Sequence, residues 1–146
     1  MQDFPHNYVV GASAEATGNV ILSSEGVQDI PSVPPVEFGG PGGEWSPESL
    51  LVAAVADCFV LSFRAIARAS RLEWDGLSIS VDGTLDKVDG VTQFTGFHVV
   101  ATLDVPADTS EAKAEKLLEK AEKVCLITNS LKADSTLETS IRIAGN

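Results

Sequence analysis

Two cysteines, Cys58 and Cys125, and two histidines, His6 and His98, carry most of the reactive chemistry open to this chain. A thiolate attacks an oxidant and becomes a sulfenic acid. A second thiol then condenses with it to a disulfide, which an external dithiol reduces. Two inward-facing cysteines on different helices of one core reach the ~3.5–4.5 Å Cβ separation that a disulfide requires. Free cysteine is also among the most buried residue types, so two small core hydrophobes are the competing reading. Other chemistries fare worse. The cysteines lie far apart in sequence and neither histidine stands at ligand-like spacing, so the C-x-x-C or H-x-x-x-H signature of a metal centre is missing and no metal or cofactor is expected. His98 falls in a strand pattern between Phe97 and Val99 and is expected to face solvent rather than activate a thiol. The loop Gly39-Gly40-Pro41-Gly42-Gly43 precedes a helix start. It lacks the Lys of a phosphate loop, and Glu37 and Glu44 on either side repel phosphate.

The flanking pattern says which elements hold the two thiols. Ser46 reads as a helix N-cap, with Pro47 at the first helical position and Glu48 in the first turn. From Leu50 to Phe63 only Asp57, Cys58 and Ser62 interrupt apolar residues, and the run then meets Arg64, Arg68 and Arg71. That is too short an apolar run for a bilayer and predicts a buried core helix. Cys58 shares its face with Leu51, Ala54, Leu61 and Ala65. Cys125 closes a second, amphipathic pattern, Ala114, Leu117, Leu118, Ala121, Val124, Cys125, behind Asp108 as cap and Glu111 three positions on. Asn129-Ser130 is expected to end or bend that helix.

Strands surround the helices. Tyr8–Val10 and Val20–Leu22 read as a hairpin, and the proline- and glycine-rich stretch from Gln28 to Ser46 as an ordered loop. Trp74 to Pro106 reads as a second hairpin around Asp86–Gly90, with Phe97, Val99, Ala101, Leu103 and Val105 on one side. Leu137, Thr139, Ile141 and Ile143 predict a last strand. Strands that arrive in hairpins favour an α+β fold with antiparallel pairing.

At 146 residues the chain suits one domain, 1–146, and 44% hydrophobic against 21% charged residues excludes wholesale disorder. The net charge of −11 repels phosphate backbones and anionic lipid, so neither nucleic acid nor membrane is an expected partner. Residues 1–63 hold eight acids and neither Lys nor Arg. Without a basic, apolar N-terminal signal the expected location is the cytoplasm, where a permanent disulfide is uncommon.

The run PPVEFGGPGGEWSPESLLVAAVADCF from Pro34 to Phe59, with LLEKAEKVCLITNSL from Leu117 to Leu131, resembles the OsmC/Ohr family of thiol-dependent hydroperoxide reductases. It looks closer to the OsmC-like branch than to typical Ohr. The resemblance implies an OsmC-like fold, an intertwined homodimer, and organic hydroperoxides reduced at the expense of dithiols such as lipoyl groups. It also implies that Cys58 is the peroxidatic cysteine, that Cys125 resolves it, and that Glu48, ten positions before Cys58, belongs to the site. Ten residues of straight helix rise about 15 Å, more than a Glu side chain bridges, so Glu48 meets a Cys58 only from a second chain. One departure stands out. Strongly active members place an Arg in the N-terminal hairpin against the reactive thiol, and residues 1–63 contain none. An inward cysteine in apolar surroundings without a cation has a raised pKa and reacts slowly. His6 and an Arg from another segment or chain are the substitutes at hand. The alternative expectation is an OsmC-like small-ligand binding or stress protein with weak or no peroxidase activity.

Overall fold

A computed structural model describes every residue from Met1 to Asn146 and divides the chain into two units, Met1–Leu51 and Val52–Asn146. The first holds a three-stranded antiparallel sheet in the order β1 (Gly11–Ser13), β2 (Val20–Ser23), β3 (Ile30–Ser32). The expected strand at Tyr8–Val10 is displaced. Pairing between β1 and β2 ends at Gly11 opposite Ser23, and the chain before it has no ladder, so Tyr8, Val9 and Val10 stand exposed. The sequence also predicts a loop where β3 forms. Pro31 is tolerated there because β3 is the last strand of its sheet, met beyond β2 only by an isolated bridge from Ser32 to Trp45.

Beyond β3 the loop folds tightly on itself. A single 3-10 turn at Val36–Phe38 leads to Gly39 in the left-handed region, and the Gly40 N–H donates to the Pro35 carbonyl at 3.0 Å. A Cβ on Gly40 would lie 1.8 Å from the Pro34 carbonyl oxygen, so only glycine fits.

Helix α1 (Pro47–Ala69) begins as expected at Ser46. The Ser49 N–H donates to the Ser46 hydroxyl at 3.1 Å and the Ser46 N–H to the Ser49 hydroxyl at 2.9 Å, a reciprocal box in which serine replaces the usual glutamate. The helix closes at Ala69, followed by Arg71 in the left-handed region and a Leu72 N–H to Ala67 carbonyl bond of 2.9 Å. Its expected burial is corrected. Val55, Phe59, Phe63, Ile66 and Ala67 are buried, but Leu61 is 53% exposed and only 28% of the most apolar stretch is covered within the chain. At 23 residues, with a mean hydropathy of 2.0 over its most apolar 18, α1 is also long and apolar enough to cross a membrane, contrary to the shorter apolar run expected. Exposed Asp57 at the middle of the helix opposes that use, since a carboxylate at bilayer depth costs several kcal/mol.

The second unit is built on β4 (Gly76–Val88), β5 (Val91–Val105) and β6 (Asp134–Ile143), in that order across the sheet. Asp89 and Gly90, both with positive φ, turn β4 into β5 as a two-residue hairpin with Val88 opposite Val91. Phe97, Val99, Ala101, Leu103 and Val105 are all buried, as their alternation predicts. Close approach of α1 to this sheet is marked at Gly83, where a Cβ would meet the Val52 methyl at 2.8 Å. Antiparallel pairing is expected throughout, yet β6 runs parallel to β5. The connection between them is a helical crossover rather than a turn, and a crossover returns the chain in the same direction. That crossover is α2 (Glu111–Val124) followed by the short α3 (Leu126–Asn129). Ser110, not Asp108, caps α2, accepting from the Lys113 N–H at 3.3 Å. Two hydroxyls of β6 fasten α2: Ser135 donates to Glu122 at 2.6 Å and Thr139 to Glu115 at 3.1 Å.

Replacing Gly40 with alanine is expected to lower unfolding stability by about 2 kcal/mol or more, because backbone must move. Gly96→Ala, whose Cβ meets nothing nearer than 3.9 Å, is expected to change it by less than about 1 kcal/mol. Urea denaturation of the two variants checks the contrast.

Candidate active site

Cys58 sits at the middle of α1, half-buried, with its Sγ 3.9 Å from the hydroxyl of Ser62 one turn further on. Cys125 is buried, and the structure alters its expected setting. The predicted helix does not run through to Asn129 but breaks at Cys125, which takes an extended conformation (φ −61°, ψ 106°) as the last cap of α2 and the first of α3. Its carbonyl accepts from the Thr128 hydroxyl at 3.1 Å and from the Asn129 N–H at 3.0 Å. Helix α3 ends at Asn129, with Ser130 as its cap, where the sequence predicts an end or bend.

The break brings the two thiols together. Cys58 and Cys125 are both free, and their side chains lie near each other. Burial pushes the Cys125 thiol above its ordinary value of 9.0, and Cys58 alongside pushes it further, while hydrogen bonds from Thr128 pull the other way without overcoming burial. Cys125 is therefore a protonated S–H at neutral pH. Next to Cys58 it is a donor.

Glu48 occupies the first turn of α1, and one of its carboxylate oxygens, Oε2, is buried with no hydrogen-bond partner. Ten residues of continuous helix separate it from Cys58, a rise of about 15 Å, so the two do not meet within one helix. An orphaned carboxylate oxygen is costly and marks a place for a donor that the single chain does not supply.

His6 is engaged locally, stacked on Phe4 with ring centroids 4.5 Å apart and its Nε2 donating to the Gln2 carbonyl at 3.0 Å. His98 faces solvent as expected, with Nδ1 2.8 Å from the Thr136 hydroxyl and Nε2 3.3 Å from Glu138. Arg64 and Arg68 are exposed on α1. No group of three histidine, cysteine or carboxylate side chains has metal-holding geometry. Ser62 and Thr128 are the polar neighbours of the thiols that the sequence reading passed over. Their signal was present in the spacing: four residues beyond Cys58 and three beyond Cys125, each within one helical turn.

Comparison with known proteins agrees with this architecture. The family described as OsmC-like protein matches residues 40–140. Among curated relatives, an uncharacterised protein of Bacillus subtilis, YmaD, is 27% identical and covers 96% of this chain and 97% of its own. An organic hydroperoxide resistance protein of Xanthomonas axonopodis is 30% identical over 89% of this chain and 92% of its own. Among solved structures, an OsmC-like protein of unknown function from Vibrio cholerae superposes with a TM-score of 0.84 at 18% identity, covering 93% of this chain and all (100%) of its own. An organic hydroperoxide resistance protein from Legionella pneumophila gives a TM-score of 0.74 at 24% identity, covering 95% and 98%. These matches span both cysteines, the Gly-rich loop and the order of elements, and the chain belongs to the OsmC/Ohr family.

Proposed function

We propose that this chain is a thiol peroxidase that reduces organic hydroperoxides, with Cys58 attacking and Cys125 resolving. The apposition of two free thiols on separate elements carries the reading. The organic hydroperoxide resistance of its Xanthomonas relatives supports the substrate class. The Cys58 thiolate attacks the terminal oxygen of the hydroperoxide. The O–O bond breaks, the alkoxide leaves and takes up a proton as the alcohol, and Cys58 becomes a sulfenic acid. Cys125 then loses its proton and attacks the Cys58 sulfur. The S–S bond forms, the S–O bond breaks and water leaves. A dithiol, of lipoyl type or similar, reduces the disulfide and resets the pair, which suits the reducing cytoplasm.

The same reading makes the protein a homodimer in which Glu48 of one copy completes the Cys58 site of the other. Two observations support it. The Glu48 Oε2 is buried without a partner, and much of apolar α1, Leu61 included, is uncovered in the single chain. Large exposed apolar patches on a soluble domain mark association surfaces.

A second reading keeps the fold as a small-ligand binding or stress protein with slow thiols. The lack of any Lys or Arg before Arg64 and the raised Cys125 thiol favour it. Turnover separates the two: with cumene hydroperoxide and a dithiol, wild type is expected to exceed Cys58→Ser by more than about a hundredfold, each protonation and attack step being lost with the sulfur. Equal rates would refute the peroxidase. Sedimentation is expected to show a dimer for the wild type and a monomer for Leu61→Glu. Cys125 should resist alkylation until pH exceeds 9.0, its ordinary value. Because its proton is held more tightly in the folded state than in the unfolded chain, the reduced protein keeps this stability below pH about 9 and loses it as pH rises further. Urea midpoints at pH 8 and 10 are expected to fall less in Cys125→Ala than in wild type.

A further inference from the structure

We propose that Ser62 activates Cys58, its hydroxyl donating to the thiolate in the place where a fixed positive charge is missing. The inference rests on the reading of Cys58 as a nucleophile, and deepens it.

Four positions of α1 lie one turn from Cys58 and share its side: Ala54 and Val55 before it, Leu61 and Ser62 after it. Three are apolar. Only Ser62 carries a hydrogen-bond donor, and its Oγ lies 3.9 Å from the Cys58 Sγ, within the longer range that sulfur accepts. Both side chains are half-buried, so water competes less for either. With Cys58 protonated, either group donates to the other. With Cys58 ionised, only the hydroxyl has a proton to give, so the contact favours the charged, nucleophilic form. Bonds to charged groups are about twice as strong as bonds between neutral ones.

The alternatives for this role are occupied or remote. Arg64 and Arg68, exposed on α1, stand six and ten residues beyond Cys58, off its face or too far along the axis. Cys125, buried and protonated, is a neutral neighbour and brings no positive charge. The thiolate is thus held by a neutral hydroxyl rather than a cation. Ser62 is fixed on the helix that carries the nucleophile, so its donor is in place before the peroxide arrives.

The test measures Cys58 directly in the full-length reduced protein, by mass spectrometry of its peptide after timed iodoacetamide labelling at pH 7. Ser62→Ala is expected to slow Cys58 labelling about three- to tenfold, with Cys125 labelling unchanged, and Ser62→Thr to restore the rate to within about twofold. A Ser62→Ala rate equal to wild type overturns the proposal. So does a threonine variant as slow as alanine, since both then report packing. A variant that fails to fold would expose Cys58 and label faster, the opposite direction, and that result also overturns it. Dimedone trapping after cumene hydroperoxide separates this inference from the peroxidase reading. If wild-type Cys58 forms no sulfenic acid while Ser62→Ala still slows labelling, the peroxidase fails and the role of Ser62 in tuning the thiol stands.

Discussion

A thiol placed against another thiol in a water-poor setting is under electrostatic constraint, because only one of the two can ionise cheaply. Here Cys125 is the more deeply buried and its proton is held above the usual range. Cys58 is half-buried and lies beside the Ser62 hydroxyl. The asymmetry depends on the fold in a simple way. Cys58 lies on an unbroken helix, so its neighbours are set by helical spacing. Cys125 lies at a break between two helices, where its backbone is extended and its side chain is aimed by the loss of regular geometry.

The break is in turn maintained by what surrounds it. Helix α2 is fastened to β6 through Ser135–Glu122 and Thr139–Glu115, while Thr128 and Asn129 satisfy the Cys125 carbonyl. β6 can lie parallel to β5 because α2 and α3 carry the chain back across the sheet. The secondary structure that holds Cys125 is therefore also what completes the sheet. A substitution that straightened the helix through Cys125 would disturb both.

Charge enters by its distribution. The acids before Arg64 are accompanied by no Lys or Arg, and the hydrogen-bonding neighbours at Cys58 and Cys125 are the hydroxyls of Ser62 and Thr128. Neutral donors stabilise a thiolate less than a guanidinium does, but they carry no charge of their own that burial would penalise. The first 63 residues hold no Lys or Arg, and the hydrogen-bonding partner of Cys58 on its own helix is the Ser62 hydroxyl.

Much of this was legible from residue pattern. The Ser46 cap, the alternation from Phe97 to Val105, the amphipathic stripe of α2 and the end at Asn129 are local consequences of spacing, and they appear where they are read. The motif around Cys58 and the run around Cys125 were enough to place the chain among its relatives. Three features were not legible. The direction of β6 depends on how a crossover packs, the break at Cys125 on where the fastening of α2 to β6 ends, and the partial exposure of α1 on which of its apolar faces the chain covers. Periodicity names the face a side chain occupies. It cannot say what meets that face, because that is decided by contacts between residues far apart in sequence, and only the tertiary structure brings Cys58 to Cys125.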